Sequence, residues 1–371
     1  MIPAVGIVAI VVVIAPIAWL IRKLAFRVVG VAPRRKAIVA RRVGDSVELP
    51  RSVLTSAPGR YGLWFGEEFQ QHILIGPVHR VDERYVLRSV LSSTSTIPSD
   101  PFEAQLTGHV MNSPSEVDPK WEDIAIPLSD GEVAPAWLFP GRDDAPWVIH
   151  VEGIRTSRLV TLRSVEAAER AGLTSLVITY RGAGDGPAAR VSYLGQREWL
   201  DLADAVRFAR SRGASQVYVV AWSMGAGIAL ELLRHDPTAF ERLALIAPAT
   251  NWMAIVRHGI RRARLPAFLA ALVTRTMASS AGSKLIGIPA PLDFHRLDWI
   301  DEFTLGIPTL VIHSDGDEEI PFELTREFAA AHGTVKLVAT KTAPHGWEAN
   351  VDPELFQSTL TAWLANPVPT T

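Results

Sequence analysis

The sequence has no cysteine among its 371 residues. Disulfide bonds, a thiolate nucleophile and cysteine-ligated zinc are therefore excluded. A strong excess of charge is also missing, because the formal net charge is only −2. Such a balance gives no reason to expect a nucleic-acid partner. Hydrophobic residues make up 48% and charged residues 20% of the chain, proportions typical of a globular protein with a substantial core.

Charged side chains are likewise missing from residues 1–21, whereas the residues that follow are rich in arginine and lysine. About 20 apolar residues suffice to cross a bilayer, so residues 1–21 are predicted to form a transmembrane helix. Residues 22–43 would then be a basic juxtamembrane linker. Positive charge beside a span tends to stay cytoplasmic, which predicts a single-pass membrane protein with its large C-terminal domain in the cytoplasm. A cleaved signal peptide is disfavoured, because the basic residues follow the apolar run instead of preceding it.

Two different patterns occupy the rest of the chain. Residues 44–120 contain short β-like pieces between turns, and they are predicted to form a small β-rich extension. In residues 121–366 strand-like and helix-like segments alternate, which is typical of a mostly parallel sheet with helices on both faces. Residues 249–304 interrupt this alternation and are predicted to form a helical cap over the ends of the strands. A packed helical excursion with no gating role is the alternative.

A candidate nucleophile is Ser223, which follows the apolar run 217–222 and precedes a helical pattern. Strand, sharp turn and helix in this order form a nucleophile elbow, which exposes a serine hydroxyl at the end of a strand. Close approach of the two backbones requires small residues two positions before and after the serine, and these are Ala221 and Gly225. An ordinary serine in a strand-to-helix turn would give the same short motif. Whether Ser223 is a nucleophile therefore depends on finding a base and an acid for it elsewhere in the sequence.

A serine hydroxyl needs a base to take its proton and an acid to orient that base. His345 is the candidate base, because it lies in a loop between the last predicted strand and the last predicted helix. Asp317 is the candidate acid, because it lies in the loop after the preceding strand. His332 and Asp315 are the alternatives for these two roles.

Backbone amides of Met224 and Ile154 are the candidate donors of an oxyanion hole, which would stabilise the charge that develops on the substrate. Met224 directly follows the serine, and Ile154 lies in the loop after the predicted strand 147–151. Gly153 allows that loop to approach closely, and Arg155 is the second candidate donor. The histidines before residue 121 lack metal-ligand spacing, and neither a metal nor a cofactor is expected.

These motifs make residues 121–365 resemble the α/β-hydrolase fold superfamily. Its acid-loop pattern runs from His313 to Pro321 and places the aspartate at Asp317. The superfamily's elbow and Arg-Gly-x-Gly loop occur as Ala221-Trp222-Ser223-Met224-Gly225 and Arg181-Gly182-Ala183-Gly184. Its His-Gly pair in the oxyanion loop is replaced by Glu152-Gly153. With its apolar N-terminal segment, the chain is similar to membrane-anchored serine hydrolases of the dipeptidyl-peptidase and serine-aminopeptidase type.

The resemblance implies an α/β-hydrolase fold and a serine hydrolase that acts on an ester, thioester or amide. An anchor and an apolar cap favour a small-molecule or lipid-like acyl substrate near a membrane. An acyltransferase with the same three residues is one alternative. A membrane-tethered binding or scaffold protein is another, and only Glu152 in the oxyanion loop favours it.

Overall fold

The computed structural model describes residues 4–33, 36–301 and 303–366. Helix α1, Ala4–Val29, is the first element, and it does not end at residue 21 but continues through three basic residues. Its second half lies in the main hydrophobic core through Ile21, Leu24, Ala25 and Val29. Among the described residues, no helix combines the length and the apolar character needed to cross a membrane. The predicted bounds are corrected, because α1 continues past residue 21 to Val29, and β1 occupies part of the predicted linker 22–43.

Six strands form a closed antiparallel barrel in the order β1-β2-β5-β4-β3-β6. They are β1 Ile38–Val43, β2 Ser46–Pro50, β3 Tyr61–Phe65, β4 Gln71–Val81, β5 Tyr85–Ser93 and β6 Phe102–Thr107. A short helix, α2 (Val53–Ser56), lies between β2 and β3. Apolar side chains that point inward give the barrel its own core. Closure pairs each strand on both sides, which leaves this small sheet without an open edge.

Eight further strands form one sheet in the order β14-β13-β12-β11-β9-β10-β8-β7. They are β7 Glu122–Pro127, β8 Val133–Phe139, β9 Trp147–Val151, β10 Thr174–Ile178, β11 Val217–Trp222, β12 Arg242–Ile246, β13 Thr309–Ser314 and β14 Val335–Thr340. The six strands from β10 to β14 along this order are parallel, whereas β7 and β8 are antiparallel to their neighbours. This is the mostly parallel sheet that the alternating pattern predicts.

Helices cover both faces of this sheet. They are α3 Leu162–Arg170, α4 Trp199–Ser211, α5 Gly225–His235, α9 Phe322–Ala331, α10 Glu348–Val351 and α11 Pro353–Ala365. The central strand β11 is buried along its whole length, and its successive side chains point to opposite faces. Tyr218 and Val220 pack in one core with residues of α3 and α11, whereas Val219 and Ala221 pack in the other core with residues of α4 and α5.

Three helices between β12 and β13 lie over the carboxyl ends of the strands. They are α6 Trp252–Arg262, α7 Phe268–Ala278 and α8 Ser280–Leu285. Asn251 begins α6, since its side chain accepts a hydrogen bond of 2.9 Å from the amide of Ala254. Helix α1 packs against α7, and the guanidinium of Arg22 donates to the carbonyl of Ile286 across 3.2 Å. The cover over this edge of the sheet is therefore built from α1 as well as from the inserted helices.

Candidate active site

Ser223 occupies the turn between β11 and α5, at the carboxyl end of the central strand. Its φ of 52° is left-handed, a strained conformation that functional sites commonly retain. Its amide donates to the carbonyl of Ile246 across 2.8 Å, which fixes the turn to the neighbouring strand. A Cβ at Gly225 would lie 2.7 Å from the carbonyl oxygen of Glu152, so this position needs glycine. Ala221 is fully buried, which shows that a methyl group is accommodated on the other side of the turn.

The three predicted residues meet at this point. The hydroxyl oxygen of Ser223 lies 2.8 Å from Nε2 of His345, and Nδ1 of His345 lies 2.6 Å from Oδ2 of Asp317. The alternatives lie elsewhere: Asp315 is exposed and accepts from the hydroxyl of Thr342, and His332 donates to the carbonyl of Trp299. The chain order of serine, acid and histidine is thus realised as a hydrogen-bonded sequence of side chains.

A second histidine touches the acid, which sequence reasoning missed. His313, at the end of β13, donates from Nε2 to Oδ2 of Asp317 across 2.9 Å. Its position four residues before Asp317, at the start of the acid-loop pattern, was a usable signal. The other oxygen of Asp317 accepts from the amides of Glu319 and Ile320 at 2.8 and 2.9 Å. Four donors thus fix the orientation of this carboxylate.

Burial and charge act against each other in this chain of groups. Burial by itself would raise the pKa of Asp317, but His345 and His313 lower it below its ordinary range. Burial also lowers the pKa of His345, and the carboxylate of Asp317 outweighs this effect and raises the pKa above 6.5. Burial raises the pKa of Glu348, whose carboxylate is buried beside His313 and Asp317. One nitrogen of His313 and one carboxylate oxygen each of Asp317 and Glu348 lie within 4.8 Å of one another, which is close enough to hold a metal ion. His313 and Asp317 are, however, already hydrogen-bonded to each other.

The predicted oxyanion loop lies against the nucleophile. A Cβ at Gly153 would stand 3.1 Å from the Cβ of Ser223, so glycine permits the close approach. The hydroxyl of Tyr180 donates to the carbonyl of Gly153 across 2.9 Å and holds this peptide. Among the described residues, neither the amide of Ile154 nor that of Met224 has a hydrogen-bond partner. Both predicted donors are therefore placed beside the serine with an N–H group to offer.

Arg155, the second candidate donor, has a different connection. Its backbone is left-handed, with a φ of 63°. Its guanidinium donates to the carbonyls of Phe26, Arg27 and Val28 at 3.3, 2.8 and 3.3 Å. These are carbonyls at the end of α1, where a helix lacks internal partners and favours a cation. Arg155 thus ties the oxyanion loop to α1.

Glu152 stands where the resembled superfamily has histidine. It is fully buried, and its two carboxylate oxygens have no hydrogen-bond partner among the described residues. Burial raises its pKa from 4.5 to about 8. The carboxyl group is therefore mostly protonated and neutral at neutral pH, which removes negative charge from the oxyanion loop.

A cavity of about 660 Å³ opens over Ser223 and His345. Leu24 and Val28 of α1 form part of its wall, and Trp252, Val256 and Ile260 of α6 form another part. Arg27, Arg155, Arg262 and Glu318 add charge, and Arg262 forms an ion pair with Glu318. The cavity is therefore a largely apolar space with the nucleophile exposed on its wall.

A serine, a histidine and an aspartate joined in this order at the carboxyl edge of such a sheet define a serine hydrolase with the α/β-hydrolase fold. Residues 145–291 match the family model described as "Serine aminopeptidase, S33". Residues 37–106, which hold the barrel, match "Domain of unknown function (DUF8805)".

Solved structures support the fold. The chain is similar to the Pyrococcus furiosus esterase Pf2001, with 21% sequence identity and a TM-score of 0.52 over 68% of this chain and 94% of that one. The "Putative hydrolase" from Agrobacterium vitis S4 gives 18% identity and a TM-score of 0.50 over 66% of this chain and 98% of that one. The comparison with curated proteins found no match. Likeness to the esterase at this identity establishes the α/β-hydrolase fold of the C-terminal part and leaves the substrate to chemical argument.

Proposed function

We propose that this protein is a serine esterase that hydrolyses carboxylic esters with an apolar acyl group. The observation that carries this proposal is the hydrogen-bonded series Ser223, His345 and Asp317 on the wall of an apolar cavity. A volume of about 660 Å³ suits a small-molecule or lipid-like acyl chain, because typical ligand cavities measure ~300–1,000 Å³.

The geometry supports a two-step reaction. His345 takes the proton of the Ser223 hydroxyl at Nε2 while the serine oxygen attacks the carbonyl carbon of the ester. Amides of Met224 and Ile154 stabilise the resulting oxyanion, and Asp317 stabilises the imidazolium. The imidazolium then gives its proton to the leaving alcohol, and the acyl group stays on Ser223. In the second step His345 takes a proton from a water molecule, whose oxygen attacks the carbonyl carbon of the acyl-enzyme. The imidazolium then returns this proton to the Ser223 oxygen as the acyl–serine bond breaks, which releases the carboxylic acid and restores the free enzyme.

Labelling by an alkyl fluorophosphonate tests the nucleophile. The purified full chain should be labelled at Ser223, and the variant Ser223→Ala should not be labelled. Thr238→Ala, which removes an exposed hydroxyl at the end of the loop after α5, is the control and should be labelled like wild type. Absence of labelling in wild type, or labelling at another residue, would reject the proposal and favour a binding or scaffold protein with an inactive site.

The bond type and the acyl group need separate measurements. Matched esters, thioesters and amides with the same acyl chain should show the largest kcat/KM for the ester. Across p-nitrophenyl esters, kcat/KM should rise with chain length until the chain fills the cavity. Transfer of the acyl group to added alcohols in preference to water would instead identify an acyltransferase. Location of the catalytic domain in the cytoplasm stays a prediction, which fractionation of cells and protease treatment of intact cells would test.

A further inference from the structure

The barrel contacts the catalytic domain at the loop that carries His345. His345 lies in a tight turn, closed by a hydrogen bond of 3.0 Å from the amide of Trp347 to the carbonyl of Pro344. The ring of Trp347 leaves this turn and packs against the barrel core, with its centroid 4.5 Å from the ring of Tyr61 in β3. Only Gly346 therefore lies between the base and the side chain that enters the barrel core.

Asn350 makes a second connection from the same loop. Its side-chain amide donates to the carbonyls of Arg60 and Gly108, on the barrel side, at 2.7 and 2.9 Å. Its side-chain oxygen accepts from the guanidinium of Arg163 in α3, on the hydrolase side. Asn350 is 2% exposed, so each of these bonds is shielded from water. A buried amide that satisfies partners on both domains fixes their relative position, because leaving such partners unpaired is costly.

Arg163 extends this connection to the nucleophile. Its guanidinium also donates to the carbonyl of Gly346, the residue after the base, across 3.3 Å. The same guanidinium lies 4.6 Å from the ring centroid of Trp222, the residue before Ser223. One buried side chain thus contacts the elbow, the base loop and the residue that binds the barrel.

The barrel side also reaches the oxyanion loop. His72 of β4 donates to the carbonyl of His109 across 3.1 Å, just after the last barrel strand. Nε2 of His109 shares a hydrogen bond of 3.3 Å with the hydroxyl of Thr156, two residues after the oxyanion donor Ile154. Both loops that flank the nucleophile are therefore in contact with the barrel or with the segment that leaves it.

We propose that the barrel positions the catalytic base, with Trp347 and Asn350 as the positioning residues that hold the loop of His345 against it. None of the described residues that line the substrate cavity belongs to the barrel. We therefore do not assign these contacts a role in substrate binding. The inference rests on the proposed esterase function, and it assigns a task to a domain whose family description gives none.

Gly59 permits a test from the barrel side, without any change in the hydrolase domain. It lies before β3 with a φ of +104°, and an added Cβ would overlap the carbonyl of Asn350. Gly59→Ala should therefore push the barrel away from the base loop. Gly44→Ala is the matched control, because Gly44 also has a positive φ, of +59°, but an added Cβ there meets nothing within 4 Å. Both variants place alanine at a positive φ, but only Gly59→Ala brings an added Cβ into contact with the hydrolase domain.

Two readouts on the full chain decide the matter: kcat and KM for an ester, and hydrogen exchange of the backbone amides in residues 344–351. We expect Gly59→Ala to lower kcat by ~10- to ~100-fold, as a displaced catalytic group does, with little change in KM. Exchange in residues 344–351 should become faster. Gly44→Ala should leave both readouts at the wild-type level. Equal losses in the two variants, or no loss in Gly59→Ala, would overturn the proposal, and so would a change confined to KM.

A second pair covers the case in which Gly59→Ala does not fold. Trp347→Ala removes the ring that enters the barrel core, whereas Trp347→Phe keeps an aromatic ring there. The alanine variant should show the kcat loss and the faster exchange, and the phenylalanine variant should recover most of both. Hydrogen exchange does not depend on activity. If wild type fails to react with fluorophosphonate, the esterase proposal fails, while the exchange comparison still supports or rejects the attachment of the loop to the barrel.

Discussion

His313 and His345 donate to the same oxygen atom, Oδ2 of Asp317, across 2.9 and 2.6 Å. Nδ1 of His313 lies 2.7 Å from the hydroxyl of Thr325, which has a hydrogen to donate. Because a carboxylate oxygen only accepts, the hydrogen bond to Asp317 places a hydrogen on Nε2 of His313. A second histidine, which forms no hydrogen bond with the nucleophile, thus helps to orient the acid.

Replacing His313 should weaken catalysis through Asp317. His313→Leu removes the donor, so the carboxylate loses one of its four fixed hydrogen bonds and can rotate. We expect kcat to fall by ~10-fold or more, as misplacement of a catalytic group predicts. The free energy of unfolding should fall by about 1–3 kcal/mol, since a buried acceptor loses its partner. Steady-state kinetics and urea unfolding measure the two effects. Thr325→Val is the control with the smaller expected loss, and an unchanged kcat in His313→Leu would contradict the assignment.

The pH dependence of kcat/KM should follow the base. Only neutral His345 can accept the serine proton, and the Asp317 carboxylate raises the pKa of His345 above 6.5 against the opposing effect of burial. Activity should therefore be lost as the pH falls through a midpoint above 6.5. Asp317→Asn removes the charge, so its residual activity should show a lower midpoint. Initial rates at subsaturating ester and constant ionic strength give both midpoints. A midpoint in Asp317→Asn at or above that of wild type would refute this account.

Helix α1 should determine the length of the accepted acyl chain. Val28 lies on the cavity wall, and Val28→Trp would fill part of the space with an indole ring. We expect the optimum of kcat/KM to move to shorter p-nitrophenyl esters, with short esters hydrolysed at nearly the wild-type rate. Ile17→Trp enlarges an exposed residue of the same helix that does not line the cavity, and its chain-length profile should match wild type. An unaltered profile in Val28→Trp would show that α1 is no part of the acyl site.

Glu152 should make the folded state less stable as the pH rises from 4.5 to about 8. Burial raises its pKa from 4.5 to about 8, so between these values the unfolded state binds fewer protons than the folded state. Each pH unit in this interval should cost ~1.4 kcal/mol of the free energy of unfolding. Glu152→Gln removes this cost, and its advantage in Tm over wild type should grow as the pH rises from 4.5 towards 8. Glu132→Gln, at an exposed site, is the control and should give a Tm difference that does not change with pH.

Local patterns predicted most of the hydrolase domain. The predicted strand 147–151 is β9, and the apolar run 217–222 before Ser223 is β11. Such elements follow from hydrophobic periodicity and from turn residues, which act within a few positions. Ser223, Asp317 and His345 were predictable for the same reason, because each lies in the loop or turn directly after a strand that can be recognised from its own sequence.

Contacts between distant segments were beyond these patterns. The sequence pattern of residues 22–29 gave no sign that this part of α1 packs on the hydrolase domain, because Leu24 and Val29 are buried by segments far away in the chain. Closure of the barrel depends on pairing between β1 and β6, which are far apart in sequence. The approach of Trp347 to Tyr61 joins positions separated by most of the chain. Contacts between residues so far apart in sequence leave no recognisable pattern in either segment.

The order of parts along the chain has a consequence for biosynthesis. Domains fold as units, N-terminal part first, while the chain is being made. Helix α1, the barrel and the elbow with Ser223 all emerge before β14 and the turn that carries His345. A partly synthesised chain thus exposes a serine without its base and a barrel without the loop it contacts. A nascent chain therefore lacks a complete catalytic site, and hydrolytic activity requires that β14 and the loop with His345 have been synthesised and folded.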